Sequence, residues 1–246
     1  MRLPNLYACR LPTPPAMPLH TLQRLSPTAV LGLWHLTETP AELWAALPQA
    51  AIYQTLMPAA ADAGRQAQWL AGRALAHRLL PELINQPPGG AVVRNDETGR
   101  PWLSGLDAEP PVLSLSHSGA WVAAVVAQSG RAGIDVEMIR DKAQRLAPRF
   151  LSAAEYAEAG LAAQAAPAHA NAHYTRLWSA KETLYKLAAQ RGIIFREQLL
   201  LSSFVAEESG EIPATLVRNG TQTRHCICYY QPAPGYVLTY CHEPNP

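Results

Sequence analysis

The sequence predicts an α+β protein made of two similar halves, and three observations point that way. Two helical patterns, Asp62–Leu80 and Tyr174–Arg191, the second free of Gly and Pro, each precede a region of short alternating strands. Both halves read in the same order: strand, helix, strands. A shift of 109 residues lays Trp69, Ala71, Arg73 and Leu75 over Trp178, Ala180, Glu182 and Leu184, a faint sign of a duplicated unit. The expected division gives an N-terminal half, 1–128, and a C-terminal half, 129–246. A ligand site is expected in the cleft between them, where such clefts often form.

The chain is 246 residues long, enough for one large domain or two smaller ones, each able to bury a core. Hydrophobic residues make up 48% and the formal charge is +1, which excludes a disordered tail. Near-neutral charge gives no general argument for nucleic acid, so an anionic ligand must be met by a local cluster. Cys9, Cys226, Cys228 and Cys241 have neither the number nor the spacing of a disulfide framework, and no paired CxxC suggests zinc. A reducing cytoplasm is expected. Prolines at 4, 12, 14, 15 and 18 break the N-terminus, which shows no apolar signal core, and no run is long enough to span a membrane.

Residues 1–27 read as a proline-rich arm over the surface. Val30 to Leu36 is a strand. Thr39 caps a helix that starts at Pro40 and runs to Leu47, and 48–61 is ambiguous. After the helix of Asp62–Leu80, Pro81 and then Pro87-Pro88-Gly89-Gly90 stop the chain. Ala91–Arg94 is a short strand and Glu97–Arg100 a turn. Val112–Ser116 alternates, and Trp121–Gln128 is almost wholly apolar. Ser129-Gly130 is expected to turn that strand into a hairpin with Arg131–Met138. Ser152 and Glu155 form a capping box, and Ala157–Ala172 is an alanine-rich loop or loose helix. Four strands are expected in the tail, at 199–206, 213–218, 224–230 and 235–241.

Chemistry concentrates on the helix around Trp178–Lys186. Leu177, Ala180, Leu184 and Leu187 share a core stripe, while Glu182 and Lys186 project from the other side. By themselves they are an ordinary i,i+4 pair. In Gly133-Ile134-Asp135-Val136-Glu137, strand alternation sends Ile134 and Val136 to a core and Asp135 with Glu137 to the opposite face. Two adjacent acids repel unless a cation lies between them. Oxygen-only donors suit Mg²⁺, which takes one or two carboxylates plus phosphate oxygens. Glu182 is the candidate third acid. Ser116-His117-Ser118-Gly119 ends a strand in small polar groups around an imidazole, and Arg100 lies between Gly99 and Pro101; both are candidate phosphate contacts. Arg73 reads as either a phosphate ligand or a buried helix-to-helix link, the structural role being favoured.

Four separated segments agree with one family. Gly72-Arg73-Ala74-Leu75, Gly99-Arg100-Pro101 with Ser116-His117-Ser118, Gly133-Ile134-Asp135-Val136-Glu137, and Trp178-Ser179-Ala180-Lys181-Glu182-Thr183-Leu184-Tyr185-Lys186 occur in matching order and spacing. The chain resembles the 4′-phosphopantetheinyl transferases of the larger, pseudo-dimeric, surfactin-synthetase-activating type. The resemblance spans roughly residues 30–240, and its last two segments are the specific ones. It implies two α+β halves related by a pseudo-twofold, with coenzyme A in the cleft between them. It implies transfer of the phosphopantetheine arm to a serine of an apo acyl or peptidyl carrier protein, releasing adenosine 3′,5′-bisphosphate. Carried onto this chain, Asp135, Glu137 and Glu182 hold Mg²⁺, and Lys186 contacts the pyrophosphate. Arg100, Ser116 and His117 bind phosphate groups of coenzyme A, His117 the 3′-phosphate. Glu182, a metal-bound water or Lys186 takes the serine proton. Two equivalent halves make a monomer sufficient.

Two other readings stand beside it: a non-catalytic module binding coenzyme A or a carrier, and a Mg²⁺-dependent phosphohydrolase of coenzyme A. A lost acid or lysine would favour the module, and none is lost here. The chain departs from its relatives before the Gly72-Arg73 pair, where Gln66, Ala67 and Gln68 leave only Arg65 basic. Segment 157–172 has the apolar character of a carrier-docking surface.

Overall fold

The structure, a computed structural model, describes residues 19–84 and 90–245. The first half contains β1 (Leu19–Ser26), β2 (Ala29–His35), α1 (Pro40–Ala46), α2 (Ala50–Leu56), α3 (Ala63–Leu79), β3 (Val92–Asn95), β4 (Pro101–Ser104), β5 (Val112–Ser118) and β6 (Trp121–Ala127). The second contains β7 (Arg131–Met138), α4 (Lys142–Phe150), α5 (Ala153–Ala165), α6 (Ala170–Ala188), α7 (Phe195–Gln198), β8 (Leu199–Leu201), β9 (Ser209–Arg218), β10 (Thr221–Tyr230) and β11 (Tyr236–Glu243).

The strands form two larger sheets and one hairpin. One sheet has the order β1-β2-β6-β5 and the other β7-β11-β10-β9-β8, with β3 and β4 paired separately. Every pairing is antiparallel. The mixed helix-and-sheet class is as expected. Local signals account for several starts: Thr39 and Glu42 close a capping box on α1, Asp62 caps α3, and Ser152 with Glu155 closes a second box on α5.

Strand alternation builds the core in layers. Val30 and Trp34 of β2 pack with Leu70, Leu75 and Leu79 of α3, whereas Leu31 and Leu33 pack with Ile134, Val136 and Leu238 of the other sheet. The continuously apolar β6 is buried on both faces. Helix α6 contributes Leu177, Ala180, Leu184 and Leu187 to the core of the second sheet, which is the stripe its sequence predicts.

Two expectations are corrected. Residues 19–26 are not part of an arm: no proline interrupts the stretch between Pro18 and Pro27, so the backbone is free to pair with β2. Residues 1–18 lie outside the described residues. The strands at 121–127 and 131–138 do not form a hairpin. Strand β6 already has β2 on one edge and β5 on the other, so it has no edge left to offer. Gly130, at φ 90°, carries the chain across to the second sheet instead, where β7 pairs with β11. Helix α4 was not foreseen. Ala143, Ala147 and Phe150 are buried along one helical face, but Pro148 inside the segment reads as a helix break.

Candidate active site

The site is built where α6 crosses β7. Gly133 makes the crossing possible: a Cβ there would run into the carbonyl oxygen of Thr183 and stand 3.1 Å from the Leu187 nitrogen. A buried seam of hydroxyls sets the register of the helix on the sheet. Thr239 of β11 meets Ser179 at 2.9 Å and Thr183 at 2.6 Å, and donates to the Ser179 carbonyl at 2.9 Å. These contacts aim Glu182 and Lys186 at the strand bearing Asp135 and Glu137.

Lys186 Nζ donates to Asp135 Oδ1 at 2.9 Å and to the Ile134 carbonyl at 2.7 Å. Asp135 is 4% exposed, and its Oδ2 has no hydrogen-bond partner among the described residues. Ser116 Oγ also donates to Asp135 Oδ1, at 2.9 Å. Glu137 is held by Ser118 Oγ at 3.0 Å and by Trp178 Nε1 at 3.1 Å.

The serines do a second job. Ser114, Ser116 and Ser118 accept from the backbone N–H groups of Ile134, Val136 and Met138 at 3.1, 3.2 and 3.1 Å. Their period-2 spacing puts three hydroxyls on one face of β5. They stitch that edge strand to β7 in place of a backbone ladder, satisfying an edge that would otherwise be bare. Sequence reading missed Ser118 as a carboxylate brace. The signal was the identical spacing of Ser114-x-Ser116-x-Ser118 and Ile134-x-Val136-x-Met138.

The electrostatics follow from crowding. Burial, and then the neighbouring Asp135, pushes Glu182 up to about 7; Lys186 opposes that shift and Glu137 adds to it. Glu137 is raised by burial and by Asp135, against the bonds from Trp178 and Ser118. His117 is lowered, chiefly by desolvation and then by Lys186 and Arg73. The residue is nevertheless exposed at the surface.

Two cavities flank the acids. One is lined by Arg100, Ser114, Leu115, Glu182, Tyr185 and Lys186. The other is lined by Ser118, Glu137, Met138, Arg140, Leu146 and Trp178. Arg100 reaches into the first from the β3–β4 turn and donates to the Lys186 carbonyl at 3.2 Å. Arg191 ties the same turn down through the Glu97 carbonyl. Lys181, beside Glu182 in sequence, points the other way: it is fully buried and bonded to Glu155 at 2.7 Å.

The structure therefore brings Asp135, Glu137, Glu182, Lys186, Arg100, Ser116 and His117 to one region. Among the described residues, no three His, Cys, Asp or Glu side chains are gathered as a metal site. Both oxygens of Glu137 are engaged, so the three acids are neighbours without forming a ready cage.

Comparison with known proteins decides the family. Residues 131–241 match the model of the 4′-phosphopantetheinyl transferase superfamily. The 4′-phosphopantetheinyl transferase psf-1 of Bacillus pumilus is 31% identical over 172 residues, 70% of this chain and 69% of that protein. The chain belongs to the 4′-phosphopantetheinyl transferase superfamily. The 4′-phosphopantetheinyl transferase AcpT of Salmonella typhi is 36% identical over 148 residues, 59% of this chain and 67% of that protein. The superfamily match contains Asp135, Glu137, Glu182 and Lys186; Arg100, Ser116 and His117 precede it. No helix among the described residues is long and apolar enough to cross a membrane.

Proposed function

We propose that this chain transfers the 4′-phosphopantetheine arm of coenzyme A to a serine hydroxyl of an apo acyl or peptidyl carrier protein, releasing adenosine 3′,5′-bisphosphate. The observation that carries the reading is the convergence of Asp135, Glu182 and Lys186 where α6 crosses β7. In the reaction the serine oxygen bonds to the phosphorus next to the pantetheine arm. The bond from that phosphorus to the bridging oxygen breaks, and the bridging oxygen leaves with the adenosine bisphosphate.

Mg²⁺ fits the residues present. Asp135 Oδ2 is a buried, unpartnered carboxylate oxygen, and Glu182 beside it is raised by the same crowding that a cation would relieve. Asp135 and Glu182 would hold the ion, with phosphate oxygens completing its shell, and Glu137 stands next to them, braced by Ser118 and Trp178. When bound, the ion neutralises charge on the pyrophosphate.

The side chains supply the rest. Lys186 stabilises charge growing on the leaving oxygen, a role suited to a preformed cation in a partly buried site. Glu182 takes the serine proton as a carboxylate; its elevation to about 7 belongs to the metal-free site, and a bound cation would relieve it. Arg100 and His117 meet phosphate groups, His117 the 3′-phosphate. Ser116 supports them from behind, because its proton is already given to Asp135. The Arg100 cavity holds the nucleotide end, and the Trp178 cavity receives the arm and the incoming serine.

The finer architecture belongs to the same reading. A division at 128/129 falls between β6 and β7, which lie in different sheets. Helix α3 on one sheet and α6 on the other support two halves related by a pseudo-twofold, with the site between them. A single chain then suffices as a cytoplasmic monomer. Carrier dependence tests transfer against hydrolysis. Release of adenosine 3′,5′-bisphosphate from coenzyme A and Mg²⁺ should require an apo carrier and match it mole for mole. Release without carrier would make the protein a phosphohydrolase.

A further inference from the structure

Arg100 is placed by a chain of contacts that begins in the core of the first half. Arg73 of α3 is 5% exposed and makes no ion pair with any described residue. Its guanidinium lies 3.6 Å above the Trp69 ring and donates to the Trp69 carbonyl at 3.2 Å, so its plane is fixed. From there it donates to Asn95 Oδ1 at 2.6 Å. Asn95 is exposed at the end of β3 and uses its other amide atom: Nδ2 donates to the Gly99 carbonyl at 2.6 Å.

That carbonyl belongs to a tight turn. Asp96 Oδ1 accepts from the Thr98 and Arg100 backbone N–H groups at 2.7 and 3.0 Å, and Gly99 sits at φ 84°. Gly99 is the residue immediately before Arg100. Fixing its carbonyl fixes the peptide from which the Arg100 side chain starts toward the Lys186 carbonyl.

We propose that Asn95, clamped by Arg73, is a positioning residue that presents Arg100 to the phosphates of coenzyme A. The sequence already held the parts: the arginine of Gly72-Arg73 and the Asn95…Gly99-Arg100 turn lie far apart along the chain and meet at one amide. The inference rests on the reading of Arg100 as a phosphate ligand. Arg73 acts from behind, through Asn95, and is too buried to contact the ligand itself.

Two substitutions at Asn95 separate its bonds. Asn95→Ala loses both. Asn95→Asp keeps an acceptor for Arg73 but cannot donate to the Gly99 carbonyl. A charge-assisted contact to phosphate corresponds to about a 10- to 100-fold change in binding, so Arg100→Ala should raise the KM for coenzyme A within that range. Asn95→Ala and Asn95→Asp should each raise it by about 10-fold with kcat preserved. Neither should raise it further in an Arg100→Ala background. Amide hydrogen exchange over residues 96–100 should speed up in both Asn95 variants, with the rest of the protein unchanged.

The inference is overturned if Arg100→Ala raises KM while the Asn95 variants do not, or if their effects persist without Arg100. If Arg100→Ala itself leaves KM unchanged, the phosphate role of Arg100 fails. Exchange in the turn then decides the positioning alone: acceleration upholds it and unchanged exchange ends it.

Discussion

Lys186 Nζ stands 2.9 Å from Asp135 Oδ1, and the second oxygen of that buried carboxylate has no hydrogen-bond partner among the described residues. The lysine thus sets a positive charge against a carboxyl group buried away from water, and it leaves one oxygen available. Removing one partner of such a pair costs more than removing both, because the survivor is left uncompensated. Lys186→Met should therefore lose about 2 kcal/mol of stability, the pair being only partly buried, and lower kcat by about 10²–10³. Adding Asp135→Asn should recover part of the stability and none of the activity. Urea denaturation of the two variants checks this, and an unchanged midpoint for Lys186→Met would contradict it.

Glu182 gives a dependence on pH in metal-free protein. Its carboxyl is raised from 4.5 to about 7, so the native state holds a proton that the unfolded chain has lost between those values. Stability contributed by that proton is complete below pH 4.5 and disappears as pH rises through 7. Glu182→Gln should match wild type at the acid end. Above neutrality, with a chelator present, it should be more stable by about 1–2 kcal/mol. Denaturation curves of the two proteins that coincide at both ends would show that the group is not strained.

His77 works in the opposite direction and lies away from the site. The Val93 N–H donates to the Tyr53 hydroxyl at 2.7 Å, and that hydroxyl is hydrogen-bonded to His77 Nε2 at 2.9 Å. Burial favours the neutral imidazole and lowers its pKa from 6.5 to about 4. The unfolded state takes up the proton first as pH falls. Stability present above pH 6.5 is then lost towards pH 4, by roughly 3 kcal/mol. His77→Gln should remove that loss. Acid denaturation midpoints of the variant and wild type measure it, and equal midpoints would count against the lowered pKa.

Gly133 should not accept a side chain. Its Cβ would push against the Thr183 carbonyl and the Leu187 nitrogen, backbone atoms that cannot swing aside. Gly133→Ala should lose about 1–3 kcal/mol by overpacking and lower kcat, because the shifted helix carries Glu182 and Lys186. Thermal melting and steady-state rates check both; a variant with normal stability would show that the crossing is looser than it looks.

Much of this was legible in the sequence, and the failures share a cause. Alternation in 134–137 separated Ile134 and Val136 from Asp135 and Glu137, and helical periodicity separated Leu184 from Glu182. Those are local rules acting on neighbouring residues. Strand partners are not local: nothing in Trp121–Ala127 states that both of its edges are already taken by β2 and β5. The same limit hid Ser118 and Trp178, whose bonds to Glu137 join residues far apart in the chain. It also hid the bond that Ser116 Oγ donates to Asp135. Helix α4 escaped because Pro148 inside it reads as a helix break, although Ala143, Leu146, Ala147 and Phe150 recur at helical spacing.

The central claim is that Glu182, Asp135 and Lys186 transfer phosphopantetheine to a carrier serine. It is tested most directly by weighing an apo carrier after incubation with the protein, coenzyme A and Mg²⁺, across fatty-acid, polyketide and peptide-synthase carriers. The expected result is a gain of one phosphopantetheine group on at least one carrier, lost with Glu182→Gln, with Asp135→Asn and with added chelator. No gain on any carrier while a known transferase modifies them in parallel, or a gain that survives Glu182→Gln at near-normal rate, would contradict it.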